Sequence, residues 1–169
     1  MTVPPLVVVM GVSGTGKSTV GRALAERLQI DYADGDDFHP PENIAAMAGG
    51  RPLTDADRAD WLADIGRWLA AHDRTGGVVS CSALRRSYRD VLRAAAARAI
   101  FLHLVGDRDL IGTRMSRRDH FMPPSLLDSQ LAILEPLASD ERGRVASVTD
   151  PPDTIVEEFL DAARRLSWC

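Results

Sequence analysis

Residues Gly11 to Ser18, GVSGTGKS, set a lysine and a hydroxyl directly behind closely spaced glycines. They match G-x-x-x-x-G-K-[ST] in full, with a short apolar run before them and an amphipathic stretch after. Glycines let backbone N–H groups turn inward around phosphate oxygens, and the positive end of a following helix adds to the attraction. Lys17 can then reach β- and γ-phosphates, and the Ser18 hydroxyl can ligate Mg²⁺. This points to a nucleoside triphosphate and leaves the acceptor open. A second cluster follows: Asp31, Asp34, Asp36 and Asp37 fall within seven residues, with His39, Pro40 and Pro41 behind them. Like charges this close repel one another, so the cluster reads as a metal site, a catalytic pair or a solvated capping loop. An EF-hand is excluded, because the glycine and the closing glutamate are not at the required positions.

The rest of the chain narrows the choice. No N-K-x-D guanine-specificity stretch occurs, and the strand-like VVSCSA ends without the acid that larger ATPases use to hold Mg²⁺. The Asp cluster is then the obvious metal donor. In Asp34-Gly35-Asp36, one carboxylate can orient Mg²⁺ or its water shell while the other accepts a proton from an attacking hydroxyl. Asp31 and Asp37 have ordinary strand and capping roles. Ser80 and Ser82 suit a polyol, and Arg85, Arg86 and Arg89 just beyond suit a carboxylate or phosphate. Cys81, Trp61 and Trp68 read as core residues. Arg114, Arg117 and Arg118 recur at helical spacing ahead of Asp119, His120 and a double proline, a pattern fit for a flap over a phosphoryl group.

These residues need a scaffold, and the apolar pattern supplies one. Leu6–Met10, Gly76–Ala83 and Ala99–Gly106 read as buried strands, a short strand leads into the Asp cluster, and Arg144–Asp150 offers a weak fifth. Helical periods occupy Lys17–Leu28, a segment capped by Thr54 or Asp55, a segment running to about Arg98, one capped by Asp107, and the C-terminal stretch from Asp153. Alternating strands and helices mean α/β, a parallel sheet covered on both faces. The 169 residues suit one domain spanning 1–169. A net charge of −4 argues against a general nucleic-acid binder. The apolar run in PPLVVVMG is too short for a signal peptide, nothing resembles a membrane helix, and the two cysteines, Cys81 and Cys169, indicate no disulfide framework. A cytoplasmic setting is expected.

Taken together, GVSGTGKS, DGDDFHPPENIAAMAGGRPLTDADRADWL, SCSALRRSYRDVLR, FLHLVGD and RDHFMPPSLLDSQLAILEP resemble the gluconate kinase (gluconokinase) family in order and over nearly the whole chain. The pattern is more distantly similar to shikimate kinase. The resemblance implies a P-loop kinase-like three-layer α/β/α fold with a parallel five-stranded sheet, a helical substrate-binding segment and a lid at about 114–124. It implies ATP-dependent, Mg²⁺-assisted phosphorylation of D-gluconate at its 6-hydroxyl, serving the pentose phosphate or Entner–Doudoroff routes, in a homodimer. Carried over, Gly11, Ser13, Gly14, Thr15, Gly16, Lys17, Ser18 and Thr19 would bind the triphosphate, with Ser18 and Asp34 at the metal, Asp34 through water. Asp36 would contact the reacting hydroxyl. His39, Arg58, Ser82, Arg89, His120 and Gln130 would face the acceptor, with Arg58 or Arg89 suited to its carboxylate. Arg114 and Arg118 would sit at the lid near ATP, and Thr149–Thr154 near adenine.

Overall fold

The computed structural model describes residues 2–117 and 125–168. Five parallel strands form the sheet: β1 (Leu6–Met10), β2 (Asp31–Asp34), β3 (Gly77–Ser80), β4 (Ile100–Val105) and β5 (Gly143–Ser147). Their order is β2-β3-β1-β4-β5. Strand β1 lies at the centre, flanked by β3 and β4 in register Val8↔Val79 and Val8↔Phe101. All five of its residues are inaccessible to solvent, as a strand paired and covered on both sides requires.

Alternation along the strands sends side chains to two cores. Leu6, Val8 and Met10 pack with Phe101 against α3 (Asp55–Ala71) and α4 (Arg86–Ala95). Val7 and Val9, with Ile100, Leu102 and Leu104, face α1 (Lys17–Leu28) and α7 (Pro152–Arg165). Three further helices complete the described set: α2 (Pro41–Ala48), α5 (Arg108–Ser116) and α6 (Ser125–Ile133), with a 3₁₀ turn at Gly35–Phe38. Among the described residues no helix is long and apolar enough to cross a membrane.

Several element boundaries differ from the sequence pattern for visible reasons. Strand β3 is shorter than Gly76–Ala83 because both ends turn: Gly76 has φ 78° and Ala83 has φ 44°. Helix α4 stops at Ala95, before Arg98, whose guanidinium turns instead to Asp73. Thr54 caps α3 in a capping box with Asp57, whereas Asp107 precedes α5 without a side-chain capping bond. Helices α2 and α6 and the 3₁₀ turn had no expectation from periodicity.

The arginines after β3 are sorted by this packing. Arg89 does not face an acceptor: both it and Glu141 have fully buried side chains, joined by Nε–Oε1 and Nη2–Oε2 bonds of 2.7 and 3.0 Å. Arg89 also donates to the carbonyl of Ala83 at 2.9 Å, so its fork has no face left for a ligand. Its assignment to the carboxylate is therefore corrected to a core role. Burial opposes ionisation of Glu141, but bonds from Arg89, the Ala138 N–H and Arg93 outweigh it and hold the carboxyl at about 2. Arg86 points outward, paired with exposed Asp140 at 2.6 and 2.8 Å.

Removing one partner of a buried ion pair strands the other charge, at a cost of about 3–5 kcal/mol. Glu141→Ala is expected to lose stability on that scale in urea unfolding at pH 7. Since the folded carboxyl titrates below its unfolded value, the difference from wild type should shrink as pH falls from about 4.5 towards 2. A loss under about 1 kcal/mol at pH 7 would contradict the assignment.

Candidate active site

The phosphate loop joins β1 to α1 at the carboxyl edge of the sheet, where ligands of open α/β sheets bind. Gly16, the residue before α1, has φ 88°, a left-handed conformation that glycine adopts without strain. The loop is fastened on three sides. The Gly11 N–H donates to the Ser82 carbonyl at 3.2 Å, and Thr15 Oγ1 donates to the Val12 carbonyl at 2.8 Å. Gln130 of α6 accepts from the Ser13 N–H at 2.7 Å and donates to Ser13 Oγ at 3.2 Å. Lys17 Nζ folds back onto the Val12 carbonyl at 3.0 Å. Burial pulls its pKa below the ordinary lysine value, against the raising influence of Asp36 and, more weakly, Asp34.

The Asp cluster begins inside β2 and turns at Gly35. A Cβ there would lie 2.1 Å from the Ser80 carbonyl oxygen, so only glycine lets the two chains approach. Trp61 Nε1 donates to the Gly35 carbonyl at 2.7 Å and pins the turn from α3. Asp34 then serves two contacts: Oδ1 accepts from the Asp36 N–H at 3.0 Å, and Oδ2 accepts from Ser18 Oγ at 3.0 Å. The paired oxygens suit a site in which the Ser18 hydroxyl would ligate Mg²⁺ and Asp34 would accept from its bound water. Among the described residues no cluster of three or more His, Cys, Asp or Glu could cage a metal. Few protein ligands suit Mg²⁺, which keeps waters and takes phosphate oxygens.

Asp36 is held differently. Burial raises its carboxyl to about 6; Lys17 opposes the rise, and Asp34 and Asp37 add to it. Asp31 and Asp37 are exposed, and Asp31 meets His72 Nε2 at 3.1 Å, away from this centre. Cys81, buried behind the cleft, is pushed up to about 12 by desolvation and is inert as a nucleophile.

His39 and Arg58 form the opposite wall. His39 stacks on Trp61 with ring centroids 4.2 Å apart, and burial, then Arg58, lowers its pKa to about 4. Asn43 Nδ2 donates to the Asp57 carbonyl at 2.8 Å and also meets His39 Nδ1 at 3.3 Å. A carbonyl only accepts, so the amide nitrogen is fixed, Nδ1 becomes an acceptor, and the imidazole proton sits on Nε2. Arg58 Nη1 donates to the carbonyl of Leu53 at 2.5 Å and to the hydroxyl of Tyr88 at 3.2 Å.

One cleft of about 80 Å³ brings together Ser13, Gly14, Gly16, Lys17 and Ser18 with Asp34, Asp36, His39, Arg58, Ser82 and Gln130. Ser80 also borders it, but its hydroxyl is spent: it meets Tyr32 Oη at 2.8 Å and donates to the Lys17 carbonyl at 3.1 Å. On the other side of the phosphate loop, a cavity of about 280 Å³ gathers Thr15, Gly16, Thr19, Arg114 and the Val148–Pro152 turn. Arg114 Nη2 donates to the Val148 carbonyl at 2.9 Å, which ties α5 to that turn. Arg118 and His120 lie outside the described residues. Two contributors escaped the sequence pattern: Asn43, which fixes the histidine tautomer, and Trp61, which packs in the core yet also lines the cleft.

The shikimate kinase family pattern matches residues 13–162. A gluconokinase of Gluconobacter oxydans is 47% identical over 160 residues, covering 93% of this chain and 90% of that protein. The solved structure of a gluconokinase from Sinorhizobium meliloti 1021 superposes with a TM-score of 0.88 at 48% identity, covering 98% of this chain and 95% of the other. Shikimate kinase from Acinetobacter baumannii, solved with shikimate, shares the fold at a TM-score of 0.67 and 19% identity, over 96% and 94% of the two chains.

Burying an ionised carboxylate costs stability, and a raised pKa measures that cost. Asp36→Asn should therefore raise Tm at pH 8, where wild-type Asp36 is ionised. The gain should fade as pH drops through about 6 towards 4 and vanish below about 3, where the wild-type group is neutral in both states. Parallel Tm measurements over that range check the sign; a variant no more stable than wild type at pH 8 would contradict it.

Proposed function

Because the chain belongs to the gluconokinases of the shikimate kinase family, we propose that it transfers the γ-phosphoryl group of ATP to the 6-hydroxyl of D-gluconate. The products are 6-phospho-D-gluconate and ADP. The observation that carries this reading is the single cleft in which Lys17 and Ser18 of the phosphate loop face Asp36, His39 and Arg58. A nucleotide switch without an acceptor would have no use for that second wall.

Phosphoryl transfer asks little covalent chemistry of the protein, so positioning and charge neutralisation dominate. The gluconate O6–P bond forms as the bond from phosphorus to the β–γ bridging oxygen breaks, and ADP leaves with that electron pair. The hydroxyl proton passes to Asp36, whose raised pKa is suited to a base working near neutrality. Lys17 carries part of the charge spreading over the transferring group, and Arg114 and Arg118 are assigned the same task. His39 offers its Nε2–H to a hydroxyl of the chain, Ser82 and Gln130 border the acceptor, and Arg58 meets its carboxylate end. Ser18 and Asp34 would hold Mg²⁺, which when bound screens the phosphate charges. His120 is assigned a further acceptor contact in the same reading. A homodimer in the cytoplasm, feeding the pentose phosphate route, belongs to the same reading.

A coupled ADP-release assay over gluconate, shikimate, other sugar acids and nucleoside monophosphates tests it directly. Gluconate should be the preferred acceptor, with kcat/KM falling below about pH 6 as Asp36 takes up a proton. Asp36→Asn should lower kcat by roughly 10²–10⁴-fold while ATP affinity stays within a few-fold. Near-normal turnover in that variant, or preference for a different acceptor, would overturn the assignment.

A further inference from the structure

Beyond the catalytic cleft lies a side cavity of about 460 Å³, and the two share Met47, Leu53, Arg58 and Gln130 along their boundary. Arg58 borders both, whereas Arg85 opens only onto the side cavity. We propose that Arg85 determines acceptor specificity: together with Arg58 it clamps the carboxylate of the acid whose far hydroxyl is phosphorylated. The inference rests on the proposed reaction and adds the residue that reads the acid.

Arg85 is the residue preceding α4, and its Nε is shielded from solvent without a hydrogen-bond partner among the described residues. Its neighbours along the chain are committed, Arg86 to Asp140 and Arg89 to Glu141. Neither Arg85 nor Arg58 has a carboxylate within 4.0 Å among the described residues, so both guanidinium groups keep capacity for a ligand. Among the described residues the one carboxylate in the cavity wall, Asp55, accepts the Tyr88 hydroxyl. Two cations against one engaged carboxylate leave the cavity in need of an anion. The remaining wall is largely apolar, with Pro52, Leu126 and Ile133 beside Met47 and Leu53, which lowers the local dielectric and strengthens pairing with that anion.

The chemistry of the ligand follows from where its other end must be. Phosphates are held at the loop, and the reacting hydroxyl must meet Asp36 in the cleft. The acceptor's remaining length then runs past Arg58 into the side cavity. Two planar guanidinium groups match a carboxylate there, through charge-assisted hydrogen bonds that neutral polyols cannot make.

The test uses the full chain with Arg85→Gln and Arg85→Lys, measuring KM for gluconate and for ATP. D-Glucitol, which keeps the hydroxyls and lacks the carboxylate, is measured alongside as a competitive inhibitor. Arg85→Gln should raise the gluconate KM by about 10–100-fold, the range expected for a lost hydrogen bond to a charged group. Its ATP KM and its glucitol Ki should stay within about 2-fold, and Arg85→Lys should recover part of the loss. A merely structural role would weaken gluconate and glucitol alike, so parallel changes, or an unchanged gluconate KM, would overturn the inference alone. A wild type with no turnover of gluconate would instead overturn the proposed function, and this inference with it.

Discussion

The site depends on confining one ammonium and two carboxylates at the carboxyl edge of the sheet, where water cannot fully solvate them. Burial pushes Lys17 and Asp36 towards their neutral forms, and each opposes that drift in the other. Asp34 is engaged through hydrogen bonds instead: its two oxygens accept from Ser18 Oγ and from the Asp36 N–H. Two carboxylates two residues apart are thus made chemically different by their partners. Such differences in burial and hydrogen bonding are what assign distinct roles to like residues.

Everything nearby serves to hold that arrangement. Strand β3 lies between β1 and β2, so Asp34 reaches Ser18 only because β2 and β3 pair in register, Asp34↔Ser80. Gly35 permits the close approach, Trp61 fixes the Gly35 carbonyl, and the same indole stacks on His39. Helix α3 therefore positions both the Asp34–Asp36 turn and the His39 wall of the cleft, and its N-terminal turn contributes Arg58. Gln130 ties α6 to the phosphate loop, so the two elements are mechanically joined.

Local chemistry was readable from sequence, and long-range partnership was not. The phosphate loop, β1 and α1 were plain from an unbroken motif flanked by clear periods, and the observed bounds of both elements coincide with the expected ones. Asp34 and Asp36 stood out by spacing alone. Arg89 did not reveal itself as a core residue, because its partner Glu141 lies 52 positions away and nothing local announces a buried pair. Arg85, Arg86 and Arg89 look equivalent on paper, and packing sends them to a cavity, the surface and the core. Helix α2 and the 3₁₀ turn are short and weakly periodic, so tertiary contacts rather than propensity define them. The strand order likewise follows from crossovers that no residue pattern encodes.

The most direct measurement is ATP binding by titration calorimetry, with and without Mg²⁺, for wild type, Asp34→Asn and Asp36→Asn. If Asp34 serves the metal and Asp36 the proton, Mg²⁺ should tighten ATP binding to wild type and to Asp36→Asn by the same factor. In Asp34→Asn that gain should shrink markedly while metal-free affinity is kept. Loss of the Mg²⁺ gain in Asp36→Asn, or its full retention in Asp34→Asn, would contradict the division of roles.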